Sequence, residues 1–167
     1  MTGAVPPEDF RAALGQFAAG ILIMSTLQDG VAHAMTANAF TSVSLEPPLV
    51  LVCVDKGVRM HDAVLECGSW AVSVLAADQQ PLAARFARSG RDLHTQFDGV
   101  ATEPAPKTGC PVITGALSWL ECRTWATYDG GDHTIVVGEV LGLGLPGARG
   151  RAALLHHASH YRELPGS

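Results

Sequence analysis

Hydrophobic residues change their spacing several times along the chain, and these changes predict short helices set among strands. Helical spacing runs through residues 9–19, where Asp9 is a plausible N-cap, and again through 58–67 and 79–88. Strand-like runs cover residues 20–26, 31–35, 49–54, 70–75, 112–128 and 134–145. Residues 154–164 predict a last strand or a short helix. The run 49–54 has no polar face, which is typical of a strand buried on both sides.

Turn residues divide these runs. Asp29-Gly30 predicts a hairpin, Pro47-Pro48 ends a segment, and Gly130-Gly131 marks another turn. Residues 37–45 suit a strand or a loop edge, and residues 89–109 read as a long loop. Long helices do not alternate with the strands, so a doubly wound parallel sheet is disfavoured. The pattern predicts a mainly β protein, an antiparallel β-barrel with a few short helices. We expect one domain over residues 1–167, with a flexible N-terminus at 1–8.

Composition narrows the classes of partner. Charged residues make up 16% of the chain and apolar residues 47%, which favours coverage of some apolar surface by another subunit. The net charge is −5 and no basic stripe is present, so we expect no nucleic-acid partner. Neither a secretory signal nor an apolar run of membrane-spanning length is found. The sequence therefore predicts a cytoplasmic protein that does not enter a membrane.

Several familiar motifs are present, but the residues around them do not support the function that each motif usually indicates. Residues 142–147 match G-x-G-x-x-G, but Pro146 interrupts them and too little chain follows for a dinucleotide fold, so a glycine-rich strand ending in a turn is predicted. His156, His157 and His160 cluster without other ligands to complete a metal site. The four cysteines form no C-x-x-C pair, which predicts ordinary thiols. We predict no metal.

The residues 35–44 carry the most information. Thr36, Asn38, Ser42 and Ser44 offer polar groups, while small residues such as Ala37 let a ligand approach the backbone. A flat heteroaromatic ligand with a phosphate tail needs this mixture, although a Ser/Thr-rich edge strand would show it too. Residues 55–60, with a glycine turn, two cations and a helix start, suit either an anion site or a solvated turn. Residues 129–133 suit a hairpin tip or a site.

Five motifs in order resemble the flavin reductase-like family of FMN-binding split barrels, whose antiparallel Greek-key fold the chain would share. They cover Phe10 to Leu164: residues 10–20, the Met-Thr-Ala-Asn segment 35–44, Pro47–Val54, Phe97-x-Gly-Val100, and Gly131-Asp-His133 with Gly138-Glu-Val140, followed by Tyr161. The resemblance implies an NAD(P)H-dependent flavin reductase with FAD or FMN and with NADH or NADPH. It also implies a homodimer that supplies diffusible reduced flavin to a separate monooxygenase.

The resemblance also assigns roles to residues. The flavin would lie along Thr36, Ala37, Asn38, Ser42, Val43 and Ser44, with Cys53, Val54 and Asp55 beneath its tail, Arg59 at phosphate and Phe97 covering part of it. His133 would be the catalytic histidine: it would lie beside the nicotinamide and position NAD(P)H. Tyr161 would lie near the same pocket. A glycine or valine, Gly57 or Val58, replaces the usual serine of the phosphate turn.

Two other functions remain open at this point. One is a flavin- or haem-binding split barrel without reductase activity. The other is an oxidase of the pyridoxamine-phosphate type, which would need a basic cluster for the substrate phosphate. The choice between FAD and FMN, the choice between NADH and NADPH, and the identity and substrate of the oxygenase are left undecided, although the resemblance favours FAD and the lack of an extra basic cluster favours NADH.

Overall fold

The computed structural model describes residues 4–147 and 150–166, and within these it has three α-helices and twelve strands. The helices are α1 (Pro7–Leu14), α2 (Arg59–Cys67) and α3 (Gln80–Ala87). The strands are β1 (Ala19–Gly20), β2 (Leu22–Gln28), β3 (Val31–Ala37), β4 (Phe40–Leu45), β5 (Pro48–Asp55), β6 (Ser69–Val74), β7 (Thr102–Pro104), β8 (Pro111–Ile113), β9 (Ser118–Gly130), β10 (His133–Gly144), β11 (Ala153–His157) and β12 (His160–Leu164).

Seven strands form one antiparallel sheet in the order β3-β2-β6-β9-β10-β5-β4. The Cys53 N–H donates to the Ala39 carbonyl at 3.0 Å, so the link between β3 and β4, which stand at opposite ends of this order, continues the pairing with β5. A small sheet, β1-β11-β12, is joined to this body where Leu154 N–H donates to the Leu75 carbonyl at 3.1 Å. The predicted mainly β, antiparallel barrel with short helices is confirmed.

Two apolar clusters fill the body. The first lies under α2 and includes Met24, Val52, Val64, Trp70 and Val136, all 3% exposed or less. The second lies under α3 and joins Ile23, Leu75, Phe86, Ile113 and Leu154. Helix α2 buries Met60, Ala63 and Val64, the spacing that places side chains on one helical face. Burial of these faces fixes both helices against the sheet.

The strongest turn predictions are confirmed. Asp29 and Gly30 form the turn between β2 and β3, with φ of 50° and 79°, values that Asn, Asp and Gly tolerate. A two-residue turn at Gly131 and Asp132 joins β9 to β10, one residue beyond the predicted Gly130-Gly131 position, because Gly130 still pairs with His133. The glycine-rich residues 142–144 belong to β10 and lead into a turn at 146–147, as predicted.

Three element boundaries were wrong. Helix α1 begins at Pro7, inside the segment predicted to be flexible, and ends at Leu14; Pro6 rather than Asp9 occupies the N-cap, and Gly15 is the C-cap. Residues 1–3 lie outside the described part. Residues 153–164 form a two-strand hairpin, because Ala158 and Ser159 adopt positive φ between the strands. The predicted long loop contains β7, which pairs with β8.

Strand β5 is buried on one face only, so the prediction of burial on both faces is wrong for the single chain. Val50, Val52 and Val54 point into the core, whereas Leu49, Leu51 and Cys53 are half-buried on the outer face. Side chains alternate between the two faces of a strand, and nothing within the described chain packs over the outer one. The apolar pattern of β5 therefore predicted a second covering layer on its outer face, and the described part of this chain does not provide one.

No helix in residues 4–147 and 150–166 is both long and apolar enough to cross a membrane.

Candidate functional site

A groove opens where β3 meets the β11–β12 hairpin. Its volume is about 230 Å³, and it is lined by Ile21, Thr36, Ala37, Asn38, Ala87, His156 and Tyr161. The rings of His156 and Tyr161 meet edge to face with centroids 6.1 Å apart. Small residues on one wall and aromatic rings on the other give a slot suited to a flat ring system.

A second, basic cavity adjoins the groove, and Ala87 lines both. It also measures about 230 Å³. Its walls come from β3, the start of α2 and the segment after α3: His33, Ala34, Gly57, Val58, Arg59, Met60, Phe86, Ala87, Arg88, Ser89, Gly90, Arg91, Leu93 and Gln96. Three arginines on one cavity make it a site for an anion. The two spaces together match a ligand with a flat ring and a phosphate tail.

Arginines also hold the segment after α3 in place. The Arg91 guanidinium donates to the Ala34 carbonyl at 2.7 Å and to the Arg88 carbonyl, and the Arg85 guanidinium donates to the Asp98 carbonyl at 2.9 Å. Arg91 further lies over the Phe86 ring at 5.5 Å. Desolvation, and then the nearby charges of Arg59 and Arg85, lower the pKa of Arg91. A bound anion would relieve this crowding of positive charge.

The start of α2 faces the basic cavity without a side-chain cap. Val58 stands at the N-cap, where it cannot accept a hydrogen bond, so the first N–H groups of the helix are left for another acceptor. The Asp55 carboxylate accepts from the Gly57 N–H at 2.6 Å and shapes the turn before the helix. Arg59 follows at the first helical position and donates to the Arg91 carbonyl. With glycine and valine at positions 57 and 58, this turn offers an anion backbone groups but no side-chain hydroxyl.

Two atoms in the basic cavity's walls fit a bound anion. Both His33 Nδ1 and Arg91 Nε are buried and have no hydrogen-bond partner among the described residues. Buried polar atoms are nearly always paired, so such atoms indicate a missing partner. A flavin phosphate is a partner of the right charge, and the residues present therefore fit the phosphate end of a flavin.

The structure brings part of the predicted segment into the groove. Thr36, Ala37 and Asn38 line it, although the Thr36 hydroxyl already donates to the Ala83 carbonyl at 2.7 Å. Ser42, Val43 and Ser44 lie further along β4, at a bulge, and line neither space. Their contact with a flavin stays a prediction.

Two predicted contacts lie apart from both spaces. The Val54 side chain is fully buried in the first core cluster, so only its backbone is left to meet a ligand. The Phe97 ring packs on Phe86, with centroids 5.1 Å apart, in the second cluster. Strand alternation turns Val54 inward, and the Phe86 contact holds Phe97 beneath the loop.

His133 starts β10, directly opposite Asp55 across the β5–β10 pair. Its Nδ1 lies 2.7 Å from the Asp132 carboxylate, and this contact lowers the pKa of Asp132. His133 shares a face with Cys53, and the Cys53 N–H reaches the Ala39 carbonyl beside Asn38. His133 nevertheless lines neither the groove nor the basic cavity, so the single chain does not place it in one pocket with Tyr161.

Sequence reasoning missed several lining residues. The spacing of His156 suggested only a metal ligand, and no sequence pattern distinguished His33. The closeness of Arg85, Arg88 and Arg91 along the chain was a usable signal for the basic cavity. In the described residues, no three His, Cys, Asp or Glu side chains are grouped closely enough to hold a metal.

Comparison with known proteins agrees with this geometry. Residues 14–165 match the family model described as "Flavin reductase like domain". The chain is 45% identical over 139 residues to "FMN reductase (NADH) SmoA" of Agrobacterium fabrum, covering 83% of this chain and 77% of that protein. It is 43% identical over 141 residues to "NADH-dependent FAD reductase" of Streptomyces globisporus, covering 82% and 77%.

Solved structures show the same fold. The flavin reductase component BorF of a bacterial two-component tryptophan halogenase superposes with a TM-score of 0.90 at 44% identity, covering 97% of this chain and 100% of that one. The Streptomyces globisporus NADH:FAD oxidoreductase SgcE6, solved with NAD and FAD fragments, gives 0.87 at 38% identity, covering 98% and 97%. The predicted family, split-barrel fold and enzyme class are confirmed, and the predicted flavin and NADH agree with these names. The chain belongs to the flavin reductase-like family of split-barrel proteins.

Proposed function

We propose that the protein is an NADH-dependent flavin reductase that releases reduced flavin to a separate monooxygenase. The observation that carries the proposal is the groove joined at Ala87 to the basic cavity, which together match the ring and the phosphate end of a flavin. When bound, the flavin supplies the acceptor for the hydride of NADH.

The chain's own residues would bind and align. Thr36, Ala37 and Asn38 would border the flavin ring, while Tyr161 and His156 would close the opposite wall of the groove. Arg59 and the uncapped N–H groups of α2 would hold phosphate. Alignment of two reacting rings lowers the barrier by removing the entropic cost of bringing them together. We assign His133 to positioning the nicotinamide rather than to an obligatory proton transfer.

The groove is shallow, and Asn38 and its neighbour Ala39 are exposed. Few contacts enclose the ring, so the flavin would exchange rather than stay permanently bound. A reductase that passes its product by diffusion needs this weak binding. Flavin that copurifies in full occupancy and resists dilution would contradict this part of the proposal.

The test is NADH oxidation at 340 nm with and without added flavin. Turnover is expected to require free FAD or FMN, because in the proposed reaction the flavin is a substrate that is bound, reduced and released. The ratio of kcat/KM for the two flavins ranks them, and a parallel series with NADPH ranks the nicotinamide donors. Flavin binding without turnover for either donor would replace the reductase by a binding module.

We also propose a homodimer. The central part of the outer face of β5 and its neighbours is apolar, with Leu51 and Cys53 on β5, Ile135 opposite Cys53, and Tyr128 opposite Ile135. Tyr128 is 59% exposed, which is unusual for an aromatic residue in a continuous apolar row. His133 lies at the end of this face, so a second copy seated there would bring its own residues next to His133.

Sedimentation equilibrium is expected to give twice the chain mass. Leu51→Asp places a charge in the proposed interface and should yield monomers, because a charge left unpaired in an apolar interface is costly. Leu65→Asp is the matched control, since Leu65 is also partly exposed but lies on α2. A monomeric wild-type protein, or dissociation by both variants alike, would contradict the assigned face.

The protein is also expected to have a separate partner oxygenase and a cytoplasmic location. The partner oxygenase would receive flavin without a stable complex. A cytoplasmic location, a single domain and the lack of nucleic-acid and membrane partners stay predictions. A consumer of NADH needs access to the intracellular pool of that coenzyme.

A further inference from the structure

His33 is a buried histidine with an unexplained polar atom. It lies on β3, is 8% exposed, and lines the basic cavity. Its Nδ1 has no hydrogen-bond partner among the described residues. A buried polar atom without a partner costs free energy, so its presence at a cavity wall calls for a ligand.

Apart from Arg91 Nε, which also has no partner in the described part of the chain, several polar groups of the cavity are already engaged within the chain. Arg91 donates to backbone carbonyls on β3 and after α3, and Arg59 donates to the Arg91 carbonyl. Gln96 donates to the Ala32 carbonyl at 2.7 Å, next to His33 in the chain. These contacts shape the cavity and fix its charge, which leaves the His33 ring as a polar side chain that the fold itself does not use.

We infer that His33 is a positioning residue that holds the phosphate end of the bound flavin and thereby separates phosphorylated flavins from riboflavin. The inference rests on the proposed function. The imidazole, once protonated, would add a fourth cation to those of Arg59, Arg88 and Arg91 in the walls of the cavity. Phosphate oxygens can accept from an imidazolium, whereas riboflavin has no charge to offer.

The surroundings of His33 disfavour its protonation until an anion binds. Burial, and then the charge of Arg59, lower the pKa of His33 in the free protein. The charged groups that line the cavity around His33 are Arg59 from α2 and Arg88 and Arg91 from the segment after α3, all positive. A bound anion offsets their repulsion and raises the pKa of His33. This contribution to affinity is therefore full below the pKa of the free protein and is lost as the pH rises through the pKa of the complex.

The experiment measures dissociation constants of FAD and riboflavin by quenching of flavin fluorescence. FAD is the suitable probe, because its diphosphate does not titrate near neutral pH. His33→Leu removes the polar ring and should weaken FAD binding about tenfold while riboflavin binding stays within about twofold. His94→Leu is the matched control, since His94 is exposed and lines neither space; its constants should equal those of the wild type.

A second variant guards against a folding defect. His33→Gln keeps a neutral hydrogen-bonding group and should retain part of the FAD affinity, but without the weakening of FAD binding with rising pH that is expected of the wild type. Equal losses of FAD and riboflavin affinity, or a pH profile that persists in His33→Gln, would overturn the role of His33.

The anion at His33 could be the diphosphate of FAD or that of NADH. Steady-state kinetics with NADH, set beside the FAD titration, distinguishes these two sources. An increase in the KM for NADH without a change in FAD affinity would place the dinucleotide's diphosphate at His33 and overturn the inference. Wild-type protein that binds FAD and oxidises NADH, together with an unaffected His33→Leu variant, would remove only this inference. Failure of the wild type to bind or reduce any flavin would instead remove the proposed function.

Discussion

His133→Ala is expected to raise the KM for NADH by about 10–30-fold, equivalent to about 1.5–2 kcal/mol, the range of one hydrogen bond to a charged or polar ligand group. His133 is half-exposed at the start of β10 and is oriented by Asp132 at 2.7 Å. Its position beyond the groove and the basic cavity leaves flavin binding to other residues. The dissociation constant of FAD should therefore change by less than about threefold.

Steady-state kinetics with NADH varied at saturating FAD, together with a flavin titration, check this result. His94→Ala is the control, because His94 is exposed and lines neither space. His133→Gln should recover part of the NADH affinity through a neutral hydrogen bond. If FAD affinity collapses while the KM for NADH is unchanged, the nicotinamide role of His133 is wrong.

Gly138→Ala is expected to lower the free energy of unfolding by about 2–3 kcal/mol, and Tm by about 5–10 °C. A Cβ at position 138 would lie 2.3 Å from Trp70 Cζ2 and 2.9 Å from the Cys122 Cβ. Trp70 and Cys122 are fully buried, so neither can move aside without disturbing the first core cluster. Overpacking of this kind strains the sheet between β9 and β10.

Thermal unfolding followed by circular dichroism measures the effect. Gly20→Ala is the matched control, because Gly20 also lies in a strand but has nothing within 4 Å of the added carbon. Its Tm should stay within about 2 °C of the wild type, since surface substitutions usually change stability by less than about 0.5 kcal/mol. Equal stability of the Gly138→Ala variant would show that Trp70 has room to shift.

Glycines in β10 illustrate what a sequence pattern leaves undefined. Their spacing predicted bends in a strand, and the strand was found. The reason for them lies across the sheet, where a Cβ at Gly142 would come within 2.5 Å of the Glu121 carboxylate. That carboxylate is 1% exposed and accepts N–H groups of Lys107 and Thr108 at 2.8 Å. These hydrogen bonds join segments that are separate in the chain, so the spacing of the glycines alone cannot predict them.

The candidate site was likewise predicted only in part from the sequence. The segment 35–44 was predicted to border a flavin, and Thr36, Ala37 and Asn38 do line the groove. Its opposite wall, His156 and Tyr161, comes from more than 100 residues away, and only the docking of the β11–β12 hairpin beside β1 brings it there. The basic cavity likewise combines β3 with the segment after α3.

By itself, the sequence determined the kind of element at most positions, the antiparallel β class and the family, because hydrophobic period, turn residues and short motifs are local properties of the chain. Only the tertiary structure decided which face of β5 is buried, that Val54 and Phe97 point into the core, and that His33 meets Arg59 and Arg91 at one cavity. Those outcomes depend on the strand order β3-β2-β6-β9-β10-β5-β4, and strand order is set by the burial of side chains that are far apart in the chain.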